Sequence, residues 1–422
     1  MESIIHDSMT SYLISNNLIS NHQHGFLKKR STLSNLLEST RQWLSSLNSG
    51  KSTDVIFVDF AKAFDSVSHS KLLHKLKSYG IHGKLLDWIA AWLSGRTQSV
   101  KLGSSFSIPR SVLSGILQGT VLGPLLFLLY INDLVDIIPS EAHPTLFADD
   151  LKLFSDTTPL FNSASSSGIS SPLLQDSLNK LLFWTQLWQL PISIPKCSVL
   201  SISNSKLLIP RSYFIGSHQL PQVTNCSDLG VVINNQLTFS CHILSTVKKA
   251  YIQSALISRC FLSRDAHNLK LAFCTYVRPI LEYASPIWSP YIQKDITLLE
   301  NVQRRFTKSI SKLHNLPYTT RLHSLDIPSL SCRRIQTDLA TVYRILHHHT
   351  FLEPSLYFTS RLSSITRGHP FTLCKPVVRL NSSKFAFLSR VIDHWNSLPL
   401  AVVNAGSISA FKARLKCIDF SI

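Results

Sequence analysis

No stretch of this 422-residue chain is both apolar and long enough to cross a bilayer. The longest apolar run, Val121–Ile131, is broken by Gly123 and Pro124 and falls well short of the roughly 20 residues a spanning helix needs. The start carries no secretory h-region either, because Glu2, His6 and Asp7 stand where unbroken apolar residues are required. A protein that is not secreted and has no membrane partner is expected; it would be intracellular, with nucleus and cytoplasm not distinguished. The eight cysteines include no Cys-x-x-Cys pair, so the usual spacing of a structural zinc site is missing. A disulfide framework does not suit a long chain without a leader, and reduced, mostly buried thiols are expected. No internal repeat is apparent.

Acidic residues are also scarce, and unevenly so. The chain has 24 Asp+Glu against 42 Lys+Arg, a net charge of +18. Residues 1–160 hold 13 acidic and 14 basic residues, whereas the remaining 262 hold 11 and 28. A near-neutral first part followed by a strongly basic second part suggests chemistry first and a grip on a polyanion second. With 44% hydrophobic residues the chain can bury two or three cores.

Periodicity sketches the elements. Leu33, Leu36, Leu37, Trp43, Leu44 and Leu47 recur at helical steps over 33–48. Asp54–Asp59 contains a β-branched run suited to a buried strand, and helices are expected near 69–79 and 83–94. An edge strand is expected at 97–102, a helix over 118–134 after the turn at Gly119, and a hairpin over 145–154. A Ser-rich stretch, Ser155–Ser171, reads as an exposed loop. A helix near 173–190 and a strand near 197–203 follow, and beyond about 240 the chain turns helical and basic.

Three segments carry chemistry. In VIFVDFAKAFDSV (Val55–Val67), Asp59 ends an apolar strand and so stands at a sheet rim. In FADD (Phe147–Asp150), two carboxylates sit at a hairpin tip. Carboxylates converging from neighbouring strands suit a pair of hard divalent ions about 3.5–4 Å apart, the arrangement used for nucleotidyl transfer. Alone, each reads as an ordinary turn or strand-end aspartate. The third segment, SGILQGTVLGPLLFLLYIND (Ser114–Asp133), adds Gln118-Gly119, an amide and a flexible backbone, ahead of an apolar helix.

In this order the three segments resemble the palm motifs of reverse transcriptases, specifically those of long-interspersed, non-LTR retrotransposons. QHGFLKKRST (Gln23–Thr32) is similar to their fingers segment and PKCSV (Pro195–Val199) to their next palm motif. DLGVV from Asp228, PILEYASPIWSP (Pro279–Pro290), TRGH (Thr366–His369) and WNSLP (Trp395–Pro399) resemble later parts of these enzymes. The resemblance implies an α+β, right-hand polymerase: partial fingers and an antiparallel-sheet palm over 1–215, a helical thumb and connection over 216–330, and a basic C-terminal helical region over 331–422. It implies an RNA-directed DNA polymerase acting with an RNA template, a DNA primer or target and a dNTP, with Mg²⁺ or Mn²⁺ as cofactor. By position, Asp59, Asp149 and Asp150 match the metal-binding triad, and Phe64 matches the aromatic that excludes a 2′-hydroxyl, its alternative being core packing. Gln118 and Gly119 match the nucleotide pocket, Lys196 a lysine near the triphosphate and Arg30 a phosphate contact, with solvated surface as the alternative for both cations. Asp65 is left outside the triad as an N-cap.

Two positions depart from the family pattern: Leu27 stands where Arg is usual, and Leu117 where Pro is usual. The relatives also begin further upstream, so a fragment or truncated copy is expected, and a non-catalytic nucleic-acid binder is the alternative reading. In the basic half, Lys294–Leu313 forms an amphipathic helical pattern. Ile296, Leu299, Val302, Phe306, Ile310 and Leu313 share one face; Arg304, Lys308 and Lys312, with Arg305 beside them, share the other. That stripe can follow a phosphate backbone or simply be solvated. His347-His348-His349 reads as a helix end rather than a metal site.

Overall fold

The computed structural model describes residues 1–157, 171–204, 211–261, 265–361, 369–418 and 420. Most of the Ser-rich stretch, and Thr366–Gly368, lie outside the described residues. The chain forms two compact units, one of Met1–Asn35 with Lys51–Thr224 and one of Leu36–Gly50 with Asn225–Ile422.

The first unit is built on a five-stranded sheet. Its strands are β1 (Ser52–Val58), β2 (Pro144–Phe147), β3 (Asp150–Thr157), β4 (Ser198–Ile202) and β5 (Gln222–Val223), in the order β5-β4-β1-β3-β2. β1 occupies the centre because it is apolar on both faces: Val55, Ile56 and Val58 are all buried. It runs antiparallel to β3 and β4, with Val58 opposite Leu151 and Ile56 opposite Val199. The short edge strand β5 is parallel to β4, so the sheet is mixed rather than purely antiparallel as expected.

Helices cover the sheet: α1 (Glu2–Ser15), α3 (His69–Ser78), α4 (Lys84–Leu93), α5 (Gly123–Ile131) and α6 (Pro172–Trp188); α2 (Thr32–Asn48) begins in this unit and from Leu36 belongs to the second. α5 is buried from Leu125 to Ile131, as an all-apolar helix must be. It starts five residues later than the pattern predicts. Thr120 Oγ1 donates to Leu117 O (2.6 Å) and accepts from Gly123 N (3.2 Å), which holds 117–122 as a turn. Pro124 then fits the first helical turn, where no N–H is needed. The expected edge strand at 97–102 is instead part of two small ladders outside the sheet, Thr97–Gln98 with Arg110–Ser111 and Lys101–Leu102 with Ser105–Phe106. Val100, Leu102, Phe106 and Ile108 there are exposed, so no buried face recruits the segment into the core.

α3, α5 and α6 meet at a buried lysine. Lys75 Nζ donates to Tyr130 O and to Asp133 Oδ1 (2.6 Å) and lies 3.7 Å from the Trp188 ring centroid and 4.7 Å from that of Trp184. Burial lowers its pKa to about 8, against the opposing pull of Asp133. Between pH 8 and 10.5 the unfolded chain therefore holds a proton that the folded chain has released, so stability rises with pH across that window. In a wild-type-minus-Lys75→Met difference curve that rise is on the order of 3 kcal/mol by pH 10.5. Subtraction removes the opposite trend from Tyr79 and Tyr130, whose pKa values burial raises to about 12. A flat difference curve in denaturant melts at pH 7–10.5 would contradict this.

The second unit opens with a hairpin pairing Asn225–Asp228 with Val231–Asn234. Its turn residues Leu229 and Gly230 both have positive φ, 45° and 83°, as a two-residue turn matched to strand twist requires. Tyr283 Oη donates to Leu229 O (2.9 Å), so two of the segments read from the sequence touch each other. The helices α7 (Ser240–Cys260), α8 (Gln293–Lys308), α9 (Leu330–Leu346) and α10 (Phe387–Asn396) follow. Arg390 of α10 grips Asp338 of α9 in a fork at 2.8 and 3.0 Å and donates to Pro286 O (2.8 Å). His369 and the WNSLP segment lock together: a ring nitrogen of His369 lies 3.1 Å from Trp395 O, and Asn396 exchanges two hydrogen bonds with Leu373. His347 ends α9 stacked on Tyr343 at 4.1 Å, in keeping with a helix end. None of the eight cysteines is in a disulfide, but only Cys197 is buried, which corrects the expectation of mostly buried thiols. Cysteines on surface helices, such as Cys241 and Cys260 of α7, follow the helix face and not their apolar character. Among the described residues no helix is long and apolar enough to cross a membrane.

Candidate active site

The antiparallel register carries the apolar run of β1 to Val58, opposite Leu151. The next residue, Asp59, thus emerges at the sheet rim beside Asp150, the first residue of β3. The β2–β3 hairpin is closed by Phe147 and Asp150, which leaves Ala148 and Asp149 as its two turn residues. Asp149 lies close enough to Asp59 for their charges to interact. Burial raises the Asp149 pKa; its own backbone N–H lowers it, the Asp59 charge raises it further and Lys196 lowers it.

A second strand end supplies Lys196. Pro191–Ser193 runs along the end of β1, with Ala61 N donating to Pro191 O (2.7 Å) and Ser193 N to Asp59 O (2.8 Å). The 3-10 turn at Ile194–Lys196 then places Lys196 Nζ 3.3 Å from Asp59 Oδ1. That contact is an ion pair without hydrogen-bond geometry, because Asp59 Oδ1 is buried and accepts no hydrogen bond. A buried carboxylate oxygen with no donor, beside a second carboxylate, is a fitting ligand for a cation.

The three expected carboxylates do not converge as a set. Among the described residues no group of three His, Cys, Asp or Glu is placed to hold an ion. Asp149, in the turn, is half-buried, whereas Asp150, the first strand residue, is exposed. Asp59 and Asp149 interact through their charges.

Phe64, Gln118 and Gly119 do come together. With Phe26, Leu117, Gly123 and Pro124 they line a pocket of about 320 Å³. Phe64 stacks on Phe127 of α5 at 4.1 Å and meets Phe26 edge-on at 6.1 Å, a rigid aromatic wall. Gly119 has φ 81° with open space where a side chain would point, so its backbone faces the pocket directly. Asp65 does not cap α3, whose N-cap is Ser68. Its carboxylate instead accepts from Gln118 Nε2 (3.1 Å) and its backbone carbonyl from Ser114 Oγ (3.0 Å).

Arg30 is placed differently from the expected phosphate contact. Its guanidinium donates to the carbonyls of Ser20 (3.0 Å), Asn21 (3.1 Å) and Gln23, which ties down the loop ahead of it. Sequence reasoning missed Gln23, buried against the FADD turn, and Glu2, whose carboxylate accepts from Val121 N (2.9 Å) and Trp92 Nε1 (3.1 Å). It also left Phe26 unremarked inside a segment it did notice.

On α8, Leu299, Val302 and Phe306 are buried and Arg304, Arg305 and Lys308 are exposed, as the pattern predicts. Lys312 departs from it, since the helix ends at Lys308 and Lys312 sits in a turn at φ 66°. The two arginines diverge: Arg304 lies over Tyr318 (4.9 Å) and Arg305 over Tyr251 of α7 (5.6 Å). Arg305 lines a groove of about 810 Å³ between α7 and α8 that also includes Arg259, Ser254 and Ser258.

The family description "Reverse transcriptase (RNA-dependent DNA polymerase)" matches residues 1–233, and the chain belongs to that family. The probable RNA-directed DNA polymerase from transposon BS of Drosophila melanogaster is 25% identical over 406 residues, covering 91% of this chain and 41% of the relative. That from transposon X-element of the same species is 24% identical over 353 residues, covering 83% and 37%. The resemblance read from the motifs is borne out, and the chain spans about two fifths of the length of these curated relatives. Among solved structures, apo telomerase from Candida Tropicalis matches 77% of this chain and 54% of that chain at 10% identity and a TM-score of 0.42.

Proposed function

We propose that the chain performs RNA-templated DNA synthesis for a retrotransposon, moving a nucleotidyl group from a dNTP to a primer 3′-end. The observation that carries this is the Asp59–Asp149 pair at the sheet rim, held next to Lys196. Asp59 and Asp149 would hold Mg²⁺ or Mn²⁺, which when bound supplies activation of the 3′-hydroxyl and neutralises triphosphate charge. Lys196 then leaves Asp59 for the phosphates, its ammonium being the mobile counter-charge of the pair. Gln118, aimed by Asp65, offers its amide to the nucleotide or template base, and Gly119 lets backbone approach. Phe64 fills the space a 2′-hydroxyl would take. Residues 1–215 would act as fingers and palm, 216–330 as thumb and connection, and 331–422 as an additional basic grip. The test is dNTP incorporation on a poly(rA)–oligo(dT) duplex with Mg²⁺; no incorporation by a folded chain that binds the duplex would reject catalysis.

A second reading, a nucleic-acid binder without turnover, draws on Arg30 and Leu27: the one is committed to backbone carbonyls and the other carries no charge. Measuring binding and extension separately distinguishes the two.

Sugar choice provides a further check. Phe64→Val is expected to raise ribonucleotide incorporation relative to deoxyribonucleotide by about tenfold or more, since a wall once lost admits the extra hydroxyl at a cost of only about 1–3 kcal/mol in discrimination. Unchanged discrimination in an active protein returns Phe64 to simple packing against Phe127.

A further inference from the structure

The FADD turn is held in place from outside its own hairpin. Ala148 sits at φ 56°, in the left-handed region that disfavours any residue with a Cβ, in a turn where glycine would be at ease. Both of its backbone groups are met by one side chain: Ala148 N donates to Gln23 Oε1 (2.8 Å), and Gln23 Nε2 donates to Ala148 O (3.2 Å). Gln23 is 2% exposed, and its Oε1 also accepts from Gly25 N (2.7 Å). The main chain around it pairs with β2, the outermost strand of the sheet, His24 N donating to Leu146 O (2.8 Å) and Leu146 N to His22 O (2.9 Å). Arg30 holds the Gln23 carbonyl from the other side. At Gly25 the fit is so close that a Cβ would stand 2.4 Å from Ala148 N.

This matters because Asp149 follows Ala148 directly and faces the like charge of Asp59. Repulsion between two carboxylates favours any turn conformation that separates them, and rotation of the Ala148 peptide is the motion that would do so. We infer that Gln23 is a positioning residue of this site: its amide fixes the Ala148 peptide and so keeps Asp149 beside Asp59, ready for a divalent ion. The inference rests on the reading of Asp59 and Asp149 as ion ligands.

The experiment is Mn²⁺ titration of the full chain followed by electron paramagnetic resonance, with melting temperatures taken without divalent ions. Asp149→Asn defines the signal that belongs to the site. Gln23→Met keeps side-chain length but removes the amide, and it is expected to weaken the Asp149-dependent Mn²⁺ affinity by about tenfold, the scale seen when an outer-shell partner of a metal ligand is lost. Adding Ala148→Gly, which adopts the same φ freely, should restore part of that affinity. A Gln23→Met protein that melts lower yet binds Mn²⁺ like the parent would reduce Gln23 to a structural residue and overturn the inference, as would absence of recovery in the double variant. Should Gln23→Met fail to fold, Gly25→Ala carries the test, because its Cβ displaces the turn while the amide remains; unchanged Mn²⁺ affinity there overturns it. A parent chain without any Asp149-dependent Mn²⁺ site would overturn the ion-ligand reading along with its buttress.

Discussion

Asp149→Asn is expected to lower Mg²⁺-dependent primer extension by about 10³-fold or more, because a metal-held charge supplies several kcal/mol at the transition state and each ~1.4 kcal/mol is a factor of ten. Asparagine preserves the size of the side chain and much of its hydrogen bonding, so the hairpin should close as before. What it removes is the negative charge, at a half-buried position within reach of the Asp59 charge. With Asp149 neutral, Lys196 alone balances Asp59. The site then has lost one of the negative charges with which it draws in a divalent ion. Asp150→Asn should fall less, since its carboxylate leaves the hairpin on the exposed side. Extension measured across Mg²⁺ concentrations decides this. If Asp150→Asn loses as much activity as Asp149→Asn, the division of roles between the adjacent aspartates is wrong.

The legibility of this site in the sequence follows the range of the interactions. β1 was readable because a β-branched run flanked by polar residues has few alternatives, and α2, α3, α4 and α6 because their apolar positions recur at helical steps. The FADD hairpin was readable from its alternation. What the pattern could not contain was the Gln23–Ala148 clamp, which joins residues 125 positions apart and leaves no periodic trace. Asp65 was misjudged for a related reason. Aspartate ahead of a helix is a frequent cap, but this one is drawn to Gln118 by a loop 53 positions away. The start of α5 was placed early because an apolar count ignores that Thr120 holds the turn through its hydroxyl. Lys312 was assigned to the α8 stripe by extending a wheel past the helix end.

That stripe gives the second large effect. Replacing Arg304, Arg305 and Lys308 by glutamine should reduce the slope of log affinity against log salt for single-stranded RNA by about 2, since each phosphate contact contributes about 0.7. Over a fourfold rise in salt the variant should lose roughly 10–20-fold less affinity than the parent, having lost its grip at low salt already. The structure sharpens which residues matter. Arg305 opens onto the groove between α7 and α8, where Arg259 adds a second cation and Tyr251 a ring. Ser254 and Ser258 keep one wall low, so a backbone can approach. Tyr251→Ala should therefore weaken binding without changing the salt slope, because a base stacked on an aromatic ring contributes about 1–3 kcal/mol and releases no counterion. Weakening should be similar for all sequences, as contacts to phosphate carry no base information. Asp149→Asn should leave the slope as it was, which separates grip from chemistry within one set of proteins. If the triple variant keeps the parent's slope, the exposed cations of α8 are a solvated surface and the nucleic acid is held elsewhere on the chain.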